Sequence, residues 1–284
     1  MDSYVPARLA KAGRRIPRMA AYLILFAWAV VSLLPIYWMF TTSLKSPSMA
    51  VAMPPEWIPS DITFDNFVRL FRAESLGRWT FNSLFVAGVT TAIYVVSSAM
   101  SGYAFAKKDF LGRRIISWLY ISTMLVPGFV TLVTAYTVVV DLNGVDTYWA
   151  LIVPELASPF GPFLMRQFIQ SLPSELFDAA RIDGCGEWGV FWRIVFPLSV
   201  TAMSVLAVFH FGYMWNSFIW PLTVTSRDAM LTLPVGLSSL QRHRATNFSL
   251  LMAGASYAAL PMILIFLFAQ KYFLKGITVG SVKG

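Results

Sequence analysis

Six long stretches of this 284-residue chain carry almost no charge, and they constrain its fold more than any other feature. Residues 19–44, 79–106, 115–140, 194–226 and 245–270 contain no Asp, Glu, Lys or Arg, and residues 147–165 contain a single acid, Glu155. A helix needs about 20 apolar residues to cross the hydrocarbon core of a bilayer. The stretches therefore predict an all-α membrane protein with six transmembrane helices. A barrel is excluded, because its strands would be about 10 residues long and would alternate in polarity. Composition agrees: 13% of residues are charged and 57% hydrophobic, with a mean hydropathy of +0.64. A soluble domain is usually about 25% charged. The first stretch reads as a retained helix. It is long for a cleaved signal, shows no clear cleavage site and is followed by five more.

Charge sets the expected orientation. An even number of crossings puts both termini on one side with fifteen of the 22 Lys and Arg, against seven on the other. The excess is concentrated in the N-terminal tail and at 107–114, which places both termini in the cytoplasm. The expected organisation is a basic tail at 1–18, a membrane domain at 19–273 and a cytoplasmic tail at 274–284. In this context the net charge of +8 does not call for nucleic acid. One cysteine, Cys185, excludes an internal disulfide. On the outer side, "PPEWIPSDITFDNF" supplies turn residues, with a short helix expected at 64–71 capped by Thr63 or Asp65. "DLNGVD" at 141–146 reads as a turn, and 223–249 as a polar loop long enough to meet an external partner.

Between the fourth and fifth stretches lies "ELFDAARIDGCGEWGVFWRIVFPLSV", residues 175–200, with four acids, two arginines and three glycines. Ser174 is placed to cap a helix, and Glu175 follows in the first turn, where the helix dipole favours an acid. Asp183-Gly184 reads as its stop, so the spacing predicts a cytoplasmic helix at 174–183. A second piece at 186–196 leads to Pro197. Leu176, Ala179, Ala180 and Asp183 fall on adjoining faces, and two alanines on one face admit close approach. The residues alone leave two readings open: a helix resting on the membrane, or one that docks a soluble partner.

Four polar or aromatic positions within the apolar stretches are candidates for a substrate pathway. Glu155 is costly at membrane depth, and the prolines at 154, 159 and 162 loosen the helix around it. His210 is either a ligand or a bond between helices. Trp215 and Asn216 suit sugar stacking and hydrogen bonding, or an interfacial anchor. Met124, Pro127 and Gly128 predict a kink in the third span. His210 and Cys185 alone give no metal site.

The pattern "PSELFDAARIDGCGEWGVFWRIVFPLS" resembles the "EAA" loop of ABC-importer permeases, in which Glu-Ala-Ala is followed by a glycine and then Ile-x-Leu-Pro. Asp178-Ala179-Ala180, Gly184 and Ile194-Val195-Phe196-Pro197 occupy these elements. Asp178, Cys185 and Phe196 depart mildly from the pattern. "WNSFIWPLTVTSRDAMLTLPVGL", "QKYFLKGITVGSVKG" and "FLMRQFIQSLP" are similar to the carbohydrate-uptake branch, in particular its shorter maltose-type permease. The resemblance runs from about residue 20 to the C-terminus.

It implies a type I importer domain of six helices in a prokaryotic cell membrane. The implied partners are a second homologous permease, two ATPase subunits and an extracytoplasmic sugar-binding protein. Glu175, Asp178, Ala179, Ala180, Asp183, Gly184 and Cys185 would then meet an ATPase. No phosphate-binding G-x-x-x-x-G-K-[ST] loop is present, so ATP and Mg belong on the partner and this chain is not itself an enzyme. An ion-coupled transporter is the alternative, although no internal repeat supports it. "GAS" at 254–256 resembles a serine-nucleophile turn, but Tyr257 stands where a glycine is expected. Disaccharides, longer oligosaccharides and glycerol-phosphate-type substrates all remain open. The scarcity of Lys and Arg in the spans disfavours an anionic one.

Overall fold

The computed structural model describes residues 7–72, 75–242 and 247–281. The described residues hold helices and turns and no strand. Helices run α1 Ala7–Ser43, α2 Asp65–Phe71, α3 Leu76–Lys107, α4 Arg113–Ser122, α5 Gly128–Asp141, α6 Tyr148–Ile152 and α7 Phe160–Gln170. They continue as α8 Glu175–Ile182, α9 Glu187–Val190, α10 Phe196–Leu198, α11 Val200–Trp215, α12 Ile219–Val224, α13 Leu233–Arg242 and α14 Phe248–Ser281. The chain forms two compact bodies, one of residues 1–72 and 244–257, the other of 73–243 and 258–284.

In the first body the segment after α1 folds back on itself. Lys45 is buried with its Nζ bonded to the Glu56 carbonyl and 4.2 Å from the Trp38 ring centroid. Asn66 Nδ2 donates to the carbonyls of Ser43 and Lys45 at 2.9 and 2.8 Å. The expected short helix is α2. Its N-cap is Phe64, which has no capping side chain, while the Thr63 hydroxyl accepts the Asp65 N–H at 3.2 Å.

In the second body α3 lies against α7 and α11. Gly102 permits the close crossing with α7, since a Cβ there would stand 2.6 Å from Met165 Cβ and 2.8 Å from the Arg166 nitrogen. The start of α3 holds the segment around 228–233. Asn82 Nδ2 donates to the carbonyls of Ala229 and Leu231 at 2.9 and 2.8 Å, and Trp79 Nε1 to that of Asp228 at 3.1 Å. The expected polar loop at 223–249 is therefore corrected: a 3₁₀ turn at Asp228–Met230 and α13 fill much of it, with Leu231, Leu233 and Val235 buried. Residues 243–246 of that loop and 282–284 of the tail lie outside the described residues. The 141–146 turn is present, with Asn143 and Asp146 at φ 54 and 60. Asp146 Oδ1 accepts the N–H groups of Ser226 and Arg227 at 2.6 and 2.9 Å.

Among the described residues, three helices are long and apolar enough to cross a membrane: Met19–Ser43, Leu76–Lys107 and Phe248–Gln270. Two more spans arise if bent pairs are each counted as one. Arg113–Leu125 and Gly128–Asp141 meet at 102°, Glu187–Leu198 and Val200–Trp215 at 74°. The expected kink in the third span is thus a sharp bend. Proline disfavours helical geometry in the residue before it, and Val126 is extended at φ −83, ψ 116. In the second pair, a π turn at Phe191–Val195 precedes Pro197, with the Phe196 N–H bonded to the Phe191 carbonyl. A π turn is one of the recognised causes of a helix break. The fourth expected span is interrupted. It consists of α6, a 3₁₀ turn at Pro154–Ala157 and α7, because its prolines remove backbone donors.

Candidate functional site

The polar stretch after α7 folds as expected into a short helix, α8. Its start differs in detail: the Ser174 carbonyl accepts from Phe177 and Asp178 at 3.0 and 3.1 Å, and no side-chain cap bond forms. Its end follows the Schellman pattern. The N–H of Gly184 bonds to the Arg181 carbonyl at 3.0 Å and that of Cys185 to the Ala180 carbonyl at 2.9 Å. Gly184 stands at φ +79 with nothing within 4 Å of a Cβ built on it. Phe177 and Ala180 are 2% and 7% exposed and anchor one face in the core, which Cys185 also joins. The opposite face carries Glu175, Leu176, Asp178, Ala179, Ile182 and Asp183, all exposed, with Ile182 at 86%. Asp178 pairs with Arg181 at 3.2 Å. The two alanines do not share a face, contrary to expectation, because adjacent helical residues point about 100° apart.

A cavity of about 600 Å³ opens in the second body between α5, the Pro154–Ala157 turn and the α11–α12 junction. Glu155 and Tyr213 line it together with Ser158, Ser217 and Trp220. A smaller cavity of about 330 Å³ shares Glu155, Ser158 and Tyr213 and is completed by Tyr94 and His210 among others. Glu155 and Tyr213 line both cavities, so the pair forms part of the wall common to both spaces. No Lys or Arg lines either cavity.

His210 sits between helices. Its Nδ1 lies 3.1 Å from Thr91 Oγ1, and its ring stacks on Tyr94 at 4.0 Å. Tyr94 Oη in turn accepts the Gly161 N–H at 2.6 Å. Trp215 is 1% exposed and donates Nε1–H to the Ala258 carbonyl at 3.0 Å, away from either cavity. Asn216 bonds back to the Gly212 carbonyl at 2.7 Å and lines neither. Glu155 and His210 are thus brought together, while Trp215 and Asn216 are not. The sequence reading missed Tyr213 and Tyr94. Tyr213 stands three residues after His210 and so projects from a neighbouring position on the same helix face.

Ser256 is buried within α14, where a serine nucleophile would instead need an exposed turn. Among the described residues, no group of three or more His, Cys, Asp or Glu is placed to hold a metal ion.

Broken membrane helices around a lined cavity define a multi-pass membrane transport component. The chain belongs to the binding-protein-dependent transport system inner membrane component family, whose model matches residues 93–279. It is 40% identical to the arabinooligosaccharides transport system permease protein AraQ of Bacillus subtilis (strain 168), over 94% of this chain and 96% of that one. It is 32% identical to the sn-glycerol-3-phosphate transport system permease protein UgpE of Brucella abortus (strain 2308), over 93% and 97%. Its fold matches a chain of the crystal structure of a bacterial ABC transporter involved in the import of the acidic polysaccharide alginate. That match has a TM-score of 0.81 at 19% identity and covers 96% of this chain and 100% of the other.

Proposed function

We propose that this chain is one of two permease subunits of an ATP-driven importer for a neutral sugar or oligosaccharide delivered by an extracytoplasmic binding protein. It crosses the membrane six times with both termini in the cytoplasm. The broken segment 147–170 serves as one crossing and the two bent pairs as two more. A second permease completes the pathway, of which the cavity at Glu155 is this chain's share. ATP and Mg are bound by two partner ATPases, one of which receives α8.

The observation that carries this reading is the two-faced build of α8. Phe177 and Ala180 fix it to the body, while Ile182 and its neighbours leave a mixed apolar and acidic face bare. An exposed apolar patch on an otherwise polar loop marks an interaction surface. The cavity lining supports a neutral substrate, since no cation there meets a phosphate or carboxylate. Its carboxylate, hydroxyls and indole suit the hydroxyl groups and apolar faces of a sugar.

Two measurements test this. Tagged chain purified from its native membrane is expected to bring a second permease and an ATPase. A chain that emerges alone and moves solute without ATP would replace this reading with ion-coupled transport. Gly184→Val is then expected to lower uptake per ATP hydrolysed, whereas Gly184→Asn, which tolerates the left-handed conformation, retains most of it. Equal uptake per ATP in wild type and Gly184→Val removes the coupling role of this loop.

A further inference from the structure

The loop that carries α8 is held by the last turn of α3 as well as by its own chain neighbours. Lys107 Nζ donates to the Leu172 carbonyl at 2.7 Å, just before α8, and lies 5.0 Å from the ring centroid of Phe177 within it. Lys108 pairs with Glu187, the first residue of α9, and lies 5.1 Å from the Tyr103 ring. Tyr103 Oη donates to Glu187 Oε2 at 3.0 Å, and its ring stacks on Phe177 at 6.1 Å and meets Phe191 at 6.2 Å. Contacts from α3 therefore reach the chain before, within and after α8. Charge-assisted bonds are stronger and shorter than neutral ones, which suits them to hold a fixed geometry. Arg181, on α8 itself, is engaged with Asp178 at 3.2 Å.

The other end of this connection is the cavity wall. Tyr94 lies nine residues before Tyr103 on α3, about 13 Å along the helix. There it stacks on His210, bonds to Gly161 and lines the smaller cavity with Glu155. A helix is stiff over that distance, so a displacement at 103–108 is felt at residue 94.

We infer that Tyr103, Lys107 and Lys108 form a clamp that carries movement of α8 through α3 to the cavity wall, with the Lys108–Glu187 ion pair as its exchangeable bond. These are positioning residues and touch neither nucleotide nor substrate. The inference rests on α8 being the ATPase-docking element.

Charge exchange tests it in the purified, reconstituted complex, with radiolabelled arabinotriose as the transported probe and ATP hydrolysis measured in parallel. Lys108→Glu and Glu187→Lys are each expected to lower sugar moved per ATP by about fivefold or more, the lower end of ordinary coupling between sites. The double exchange is expected to return it to within about twofold of wild type, the scatter allowed for additive sites. Lys108→Gln provides a milder variant should the reversals fail to fold, and it is expected to show the same loss to a lesser degree. Hydrogen exchange in α8 should quicken in each single variant and slow again in the double. Unchanged sugar per ATP in folded single variants overturns the clamp, as does a double exchange that restores nothing. If wild-type complex assembles with ATPase but the Gly184 pair shows α8 to be uninvolved, the docking reading fails and the clamp falls with it. If the Gly184 pair behaves as expected and the charge exchanges do not, the clamp alone is wrong.

Discussion

A carboxylate in a membrane-spanning segment is retained only where something compensates its cost. Glu155 stands in the wall between two cavities, beside the Tyr213 side chain that lines both with it. Glu155→Gln keeps the shape and removes the charge, so a carboxylate that meets sugar hydroxyls should lose about 1.5–3 kcal/mol of binding, read as a raised KM. Tyr213→Phe should follow in the same direction with a smaller effect. Unchanged uptake kinetics in Glu155→Gln would leave the acid with a structural role only. Glu155 was legible in the sequence because an acid stands out in an apolar run. Tyr213 was not, because tyrosines are common in such runs and only the fold aims this one at Glu155. Trp215 shows the converse. Its place near a helix end suited an interfacial anchor or a sugar-stacking ring, but its Nε1–H is satisfied by the Ala258 carbonyl and its ring is buried.

At the scale of elements, α3 is the organising helix of its body. Its first turns hold 228–233, its middle meets His210 and its last turn grips the α8 loop. Close packing between helices in a membrane depends on small residues at the crossing. Gly102→Ala forces a methyl against the backbone of α7 and should cost about 1–3 kcal/mol, the usual penalty for overpacking. Gly88→Ala, on the same helix with nothing within 4 Å, serves as its control and should be neutral or slightly stabilising. Thermal unfolding of the detergent-solubilised protein compares the two, and equal midpoints would mean that the α3–α7 crossing yields without cost. The existence of α3 was legible from an unbroken apolar run. Its role was not, because contacts between residues 103 and 187 are far apart in sequence and obey no local spacing.

For the whole molecule, the proposed six crossings with cytoplasmic termini require an even count despite three interrupted segments. A reporter that folds only in the cytoplasm should be active when fused to either terminus. Activity at one end alone would show an odd number of crossings and overturn the six-span reading. The sequence by itself determined the membrane class, the number of apolar segments, the α8 helix with its glycine stop, and the family pattern around it. These are local properties: burial in lipid follows from apolar length, and a helix end from the residue that tolerates positive φ. Only the tertiary structure decided how far the proline sites bend the chain, that Ala180 faces inward while Ala179 does not, and that Glu155, Tyr213, Tyr94 and His210 converge. Those outcomes depend on which surfaces a helix meets. A sequence fixes the spacing along each helix, but the packing of one helix on another decides which of its faces becomes a wall, a clamp or a docking surface.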